Sequence, residues 1–369
     1  MKNKKYLKHL IIFIPIIILM IISFFNMSNA ALISSQYENH LMRQIMWYSI
    51  GYIIVILFLF INPKWLFKYS FYFYLINVLL LILVLFFGKE INGARAWFDF
   101  KLISYQPSET MKLTLLIHLI YYSSNTKIHT FKDEFKFIFK VLLITLIPSI
   151  LTFLEPDTGA VVIYFIIALV ILLFSKIRKR WFITLFVIAI ISIVLFFSLF
   201  FYYQDTFVNI FGTSFFYRID RLIDFKNGSG MQLENALTAM GVSGTYGNGF
   251  QKFTLYFPEA PTDFIFALMV TNFGFIGALI VIIACLALNL ILLLIVFKNK
   301  DVKIRLLAIC LFAIFLFQQA QNILMNVGLM PIIGIPLPFL SYGGTNLIVF
   351  FIMLGLLIKM LIIKEKYPL

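Results

Sequence analysis

The sequence has 369 residues, of which 62% are hydrophobic, 18% aromatic and 12% charged. A soluble domain carries about 25% charged residues, so this composition cannot cover a water-facing surface, and disorder, which needs low hydrophobicity, is excluded more firmly still. The formal charge of +14 is gathered in short clusters between apolar runs, the pattern of a multi-pass membrane protein rather than of a nucleic-acid-binding surface.

A membrane-crossing helix needs roughly 20 mainly apolar residues. Ten such runs succeed one another, at about 8–26, 45–62, 69–88, 108–124, 139–154, 158–175, 181–203, 265–297, 303–326 and 345–363. They predict an all-α polytopic protein, one integral membrane domain over 1–369 with ten transmembrane helices. The first run comes after Met1-Lys-Asn-Lys-Lys5 as the apolar stretch of a signal peptide would. It continues to Phe25 with no clear cleavage site before Ser28–Ala31 and reads as a retained span, with a cleaved signal as the alternative. The eighth run is too long for one simple crossing. A break near Gly274 and Gly277 is expected, with the front half interfacial or re-entrant.

Ten spans place both termini on one side, and charge selects which. Lys2, Lys4, Lys5 and Lys8, then Lys64 and Lys68, Lys127 to Lys140, Lys176 to Arg180, Lys298 to Arg305, and Lys364 with Lys366 fall in alternate connections. The positive-inside rule then gives N-in and C-in. The longest hydrophilic stretch, 204–263, falls outside as a large extracytoplasmic loop before the eighth helix. Phe215, Phe216, Tyr217, Phe250, Tyr256 and Phe257 should anchor it to the membrane surface.

No Walker-type loop, metal-spaced His or Cys cluster, or Ser/His/Asp arrangement is present. Cys285 and Cys310 lie in apolar runs, and His9, His40, His118 and His129 are scattered in structural or interfacial positions. Ionisable groups at membrane depth are costly and mark sites, and here they gather in four places. In the first, Arg95 and Trp97 precede Gln106-Pro-Ser-Glu109 and Lys112; Pro107 opens a helix, Ser108 could cap it, and Glu109 and Lys112 share a helix face. The second is Glu155-Pro-Asp157, acids at a helix–helix turn, where Asp157 can cap the next helix. The third is Glu259-Ala-Pro-Thr262-Asp263, where loop meets apolar helix. A half-desolvated carboxylate there could serve as a general base, or Thr262 and Asp263 could simply be caps. The fourth, from Gly328 through Pro331, Gly334, Pro336 and Pro338 to Ser341-Tyr-Gly-Gly344, breaks the helix at membrane depth and so predicts a packed loop beside a cavity.

At these four places the chain resembles the SEDS family of shape, elongation, division and sporulation proteins, which includes RodA and FtsW. The most specific pieces are Gln106-Pro-Ser-Glu109 with Lys112, Thr262-Asp-Phe-Ile-Phe266, and Pro336-Leu-Pro-Phe-Leu-Ser-Tyr-Gly-Gly344. The resemblance implies a peptidoglycan glycosyltransferase of cell-wall synthesis, active in cell shape or division. It would polymerise lipid II on the outer membrane face, by inverting transfer that releases undecaprenyl diphosphate, beside a class B penicillin-binding protein as transpeptidase partner. It places Asp263 on the family's essential aspartate, the expected general base. Lys112, Glu109, Arg95, Arg218, Arg221, Asp157, Glu259 and Ser341 become the expected substrate-binding residues, and a divalent cation (Mg or Mn) is a candidate cofactor for the diphosphate. The short termini lean towards a RodA-like member.

Six positions depart from the family pattern: Pro261, Thr271, Asn272, Ala96, Asn235 and Leu237. They keep open a catalytically weakened scaffold for a transpeptidase. A flippase for lipid-linked oligosaccharides is the other alternative. It would need charge on both leaflet sides of a continuous cavity, whereas the membrane-depth charge here gathers towards the outer face.

Overall fold

The computed structural model describes residues 8–91, 94–100, 104–223, 230–249 and 256–366, and each of the ten apolar runs falls on a helix. A 3-10 turn leads into α1 (Phe13–Ile33), and then come α2 (His40–Phe58), a short α3 (Pro63–Lys68) and α4 (Ser70–Phe87). Three strands come next, β1 (Lys89–Ile91), β2 (Ala94–Asp99) and β3 (Ser104–Tyr105). Beyond them lie α5 (Pro107–Asn125), α6 (Phe131–Leu154), α7 (Thr158–Leu173) and α8 (Lys179–Tyr202). The 204–263 stretch carries α9 (Gln204–Phe211), α10 (Thr213–Ile223) and α11 (Gly230–Gly241), and the chain closes with α12 (Ile265–Lys298), α13 (Val302–Asn326) and α14 (Gly344–Lys366).

Among the described residues eight helices, α1, α2, α4, α6, α8, α12, α13 and α14, are long and apolar enough to cross a membrane. The other two of the ten fall short for different reasons. Apolar α7 has 16 residues, and α5 is diluted by Glu109, Lys112, His118 and several hydroxyls. Helix α5 lies inside the bundle, so its polar groups meet protein rather than lipid: His118 Nδ1 is 3.2 Å from Ser70 Oγ, and Asn77 Nδ2 donates to Thr114 Oγ1 at 3.2 Å. The strands, which the apolar pattern does not reveal, form a small antiparallel sheet in the order β1-β2-β3.

Local chemistry explains where helices start and how they tolerate breaks. Thr130 and Asp133 form a reciprocal capping box at the start of α6, and Asp301 caps α13 by accepting from Ile304 N at 3.0 Å, each satisfying otherwise orphaned amides. Pro148 lies inside α6 and offers no N–H to the carbonyl four residues back. That carbonyl, of Ile144, instead accepts the Tyr74 hydroxyl at 2.9 Å. Small residues let α2 and α14 approach closely: a Cβ on Gly51 would collide with the Phe351 ring.

The expected break in the eighth run is real and sits at Gly274 alone (φ 64°, ψ −158°); Gly277 stays helical. Broken backbone at membrane depth must be satisfied by protein, and the turn after α11 does this. Asn248 N donates to Thr271 O at 2.9 Å, while Phe275 N and Ile276 N donate to the carbonyls of Gly244 and Thr245 at 3.1 and 3.2 Å. The two backbones lie so close that a Cβ on Gly274 would meet Thr245 and Gly247.

Where described, the 204–263 segment is three helices followed by turns, and several of its aromatic residues pack against the bundle. Phe215 and Phe216 stack against Phe207 and Phe200 respectively, and Phe215 also meets Phe153 edge-on. Tyr217 has no described side chain, and Phe250 lies outside the described residues.

Candidate active site

The three acid-bearing turns and the broken Gly328–Gly344 segment converge on one cavity of about 560 Å³. Glu109 and Lys112 reach it from the first turns of α5, Glu155 and Asp157 from the α6–α7 turn, and Glu259 and Asp263 from the turn before α12.

Each acid is held differently. Asp157 caps α7, Oδ1 accepting from Ala160 N at 2.9 Å, while Oδ2 accepts from Gln106 Nε2 at 2.9 Å and Ser108 Oγ at 2.8 Å. Ser108 therefore ties two segments together instead of capping α5. Lys112 and Glu109 pair at 2.6 Å, both almost fully buried, as their three-residue spacing predicts. Glu259 receives the Thr262 hydroxyl at 2.5 Å.

Asp263 is neither a cap nor an ion-pair partner: no described side chain hydrogen-bonds or pairs with its carboxylate. The next helix, α12, has Phe264 at its N-cap position and no side-chain cap. The Asp263 backbone is fixed instead, its carbonyl accepting Asn322 Nδ2 at 2.9 Å and Asn326 Nδ2 at 3.0 Å. Asn326 Oδ1 also accepts from Ala267 N at 2.9 Å, so one side chain brackets the turn. Glu259, at φ 53°, holds a strained conformation there, worth on the order of 1–3 kcal/mol. The amides of Thr262 and Phe264, donating to its carbonyl at 3.2 and 3.0 Å, fix it. Burial first, then the negative charges of Glu259 and Asp157, pushes the Asp263 carboxyl up to about 7. The Glu155 carboxyl, enclosed at 0% exposure, is pushed by burial and then by Asp157 up to about 9.

The Gly328–Gly344 segment forms the wall facing Asp263. Gly334, at φ 65°, lies beside the carboxylate: a Cβ added there would stand 3.6 Å from Asp263 Oδ2. Ser341 does not line the cavity. Its hydroxyl is spent on Thr262 O at 2.7 Å and on Leu337 N at 2.8 Å, so the expected substrate contact is corrected to a brace for the Asp263 turn. Arg95 is corrected as well. Ala94, Ala96 and Trp97 of β2 line the cavity, while Arg95 is exposed and pairs with Glu90 at 3.3 Å. Arg218 and Arg221 lie on α10, and their side chains are outside the described residues.

Sequence reasoning missed several wall residues. Arg43, Trp47 and His40 come from the start of α2, and His40 packs at a tilt against Tyr342 with ring centroids 4.0 Å apart. Gln318 enters from α13 and is fully buried with neither amide atom partnered, and both Glu155 oxygens are likewise unpartnered. Buried polar atoms without partners are rare in native proteins, and here they face a space that a polar ligand would fill. The signal for Gln318 was only a polar residue inside an apolar run. Of the six departures from the family pattern, only Ala96 lines the cavity. Thr271 and Asn272 are buried on neutral hydrogen bonds, to Ala267 O and Asn26 Oδ1.

A divalent cation finds no ready cage: among the described residues no three His, Cys, Asp or Glu side chains converge on a metal position.

A multi-pass helical bundle with carboxylates gathered at a broken-helix cavity defines a polytopic membrane protein with a polar ligand site at one end. The chain belongs to the FtsW/RodA/SpoVE family of cell cycle proteins, whose profile it matches over residues 4–366. It is 30% identical to the peptidoglycan glycosyltransferase MrdB of Helicobacter pylori (strain 26695), across 95% of this chain and 88% of that protein. It is 31% identical to a probable peptidoglycan glycosyltransferase FtsW of Buchnera aphidicola subsp. Schizaphis graminum, across 72% and 74%. The fold is that of two solved structures. One is a chain from a peptidoglycan synthase complex coordinating polymerization and crosslinking (TM-score 0.77, 24% identity, 96% of this chain and 98% of that one). The other is the rod shape determining protein RodA of Thermus thermophilus (TM-score 0.68, 23% identity, 97% of each chain).

Proposed function

We propose that the chain is a peptidoglycan glycosyltransferase that polymerises lipid II, with Asp263 as general base. The observation that carries this reading is the Asp263 carboxyl itself, free of side-chain partners among the described residues, open to the cavity and pushed up to about 7, the range in which a general base is most effective near neutral pH. It would take the proton of the acceptor sugar's 4-hydroxyl as that oxygen attacks the donor's anomeric carbon. The bond from that carbon to the diphosphate oxygen breaks, with inversion, and undecaprenyl diphosphate leaves. Arg43 and Lys112 are the described cations on the wall, where they would stabilise the charge growing on the diphosphate. A Mg or Mn ion, with few protein ligands on offer, would have to take most of its coordination from the diphosphate and water.

The same reading puts both termini inside, the cavity and the 204–263 segment on the outer face of a bacterial cytoplasmic membrane, and a class B penicillin-binding protein alongside as the cross-linking partner. Purified protein given lipid II, with and without its transpeptidase, tests it. Glycan strands from wild type and none from Asp263→Asn are expected. Equal polymerisation by the two would sink the general-base assignment. Transbilayer movement of lipid II in liposomes without polymerisation would favour the flippase.

A further inference from the structure

A second cavity, of about 550 Å³, lies at the other end of the helices that build the first. Helices α5 and α7 begin at the acidic cavity and end at this one, while α13 begins here at Val302 and reaches the acidic cavity at Gln318. On α5 the first cavity's wall ends at Lys112 and the second's begins at Ser123, about 16 Å further along the helix. Its charge is of the opposite sign. Lys127, Lys176 and Arg305 line it, with His129 and a set of hydroxyls, and no carboxylate is in its wall.

Several basic residues at this end of the bundle are otherwise engaged. Arg178 pairs with Glu134 at 3.0 Å, Lys303 stacks over Phe67 and Tyr121, and Lys364 donates to Asn299 at 3.1 Å. Lys127, Lys176 and Arg305 have no ion-pair partner among the described residues. Asp301, the nearest acid in sequence to Arg305, uses its carboxylate to cap α13. The hydroxyls of Ser124, Thr126 and Ser175 donate to carbonyls of their own helix ends, so the cations are left as the principal donors to any ligand.

Three unpaired cations around a cavity with no acid in its wall call for a phosphate-bearing ligand. The surroundings indicate how it arrives. Val162, Phe165, Leu169 and Leu173 form an exposed apolar stripe along α7, and the stripe ends beside Phe174 in the cavity wall. We infer that this cavity binds the phosphate headgroup of an anionic phospholipid, with the acyl chains laid along the α7 stripe.

Native mass spectrometry of the full chain, released from nanodiscs containing phosphatidylglycerol and phosphatidylcholine, tests this. Wild type should retain phosphatidylglycerol selectively, and the Lys127→Ala/Lys176→Ala/Arg305→Ala variant should bind it roughly tenfold more weakly or worse. A control variant, Lys64→Ala/Lys179→Ala/Arg180→Ala, removes the same charge from exposed residues that do not line the cavity, and should keep the lipid. The variant Lys127→Arg/Lys176→Arg/Arg305→Lys should keep it too, and a thermal melt shows that each variant is folded. Equal loss in the cavity and control variants would overturn the site in favour of a diffuse surface field. Stabilisation of detergent-solubilised wild type by inorganic phosphate as strong as that by phosphatidylglycerol would overturn the lipid assignment. None of these readouts depends on polymerase activity.

Discussion

The two cavities use opposite ends of α5, α7 and α13 and answer burial in opposite ways. At one end acids crowd together and their proton affinities rise, Asp263 to about 7 and Glu155 to about 9. At the other, Lys127, Lys176 and Arg305 line a wall without a carboxylate and stay available to an anion. Between them the helices are solid. Leu115 and Leu119 on α5, Ile167 on α7, and Leu311 and Ile314 on α13 are all fully buried. A packed core lets one bundle hold a proton-accepting site and an anion-accepting site without a charged path joining them, which weighs against a flippase.

The sharpest way to break this comparison is at Asp263. Asp263→Asn should lower lipid II polymerisation by roughly 10²–10⁴-fold with an unchanged melting curve, whereas the triple alanine variant of the basic cavity should retain polymerisation in detergent. The next effect is on stability. Lys112→Ala leaves Glu109 charged and buried without its partner, which should cost about 3–5 kcal/mol. Lys112→Met with Glu109→Gln should recover much of that in a denaturation series without recovering activity. Asn326→Ala removes the bracket on the Asp263 carbonyl and the Ala267 amide. It should cost about 1–3 kcal/mol and lower activity by loosening the turn, with no shift in the pH at which activity falls.

The acidic cavity also predicts two pH dependences. Activity needs Asp263 unprotonated, so kcat/KM should fall about tenfold per pH unit below about 7 and level off above it. Stability moves the other way. Folded Glu155 keeps its proton over a range where the unfolded chain has lost it, so support from this group is complete in acid and is lost as pH rises from about 4.5 through about 9. Glu155→Gln should flatten that decline in thermal melts between pH 5 and pH 9. A decline as steep as that of wild type would show that Glu155 is not its source. The smallest effect belongs to Arg95→Ala. Its pair with Glu90 is more than half exposed, so stability should move by less than about 0.5 kcal/mol and polymerisation should not change.

Much of this molecule was legible in its sequence because the relevant signals are local. Runs of apolar residues near the thickness of a bilayer mark helices wherever they later pack, and all ten coincide with helices. The Glu109–Lys112 pair and the Asp157 cap come from spacing along one helix or across one turn, and the Gly274 break from a run too long for one crossing. Tertiary packing decided the rest. Which acids share a cavity depends on α5, α7 and α12 meeting at one end. The pair with Glu90 holds Arg95 at the surface, and the broken segment before α14 spent Ser341 on backbone. Gln318 and the Lys127, Lys176 and Arg305 trio gain meaning only where helices distant in sequence come together. Charge, proton affinity and unmet hydrogen bonds are set by neighbours in space, and neighbours in space are what a linear chain does not display.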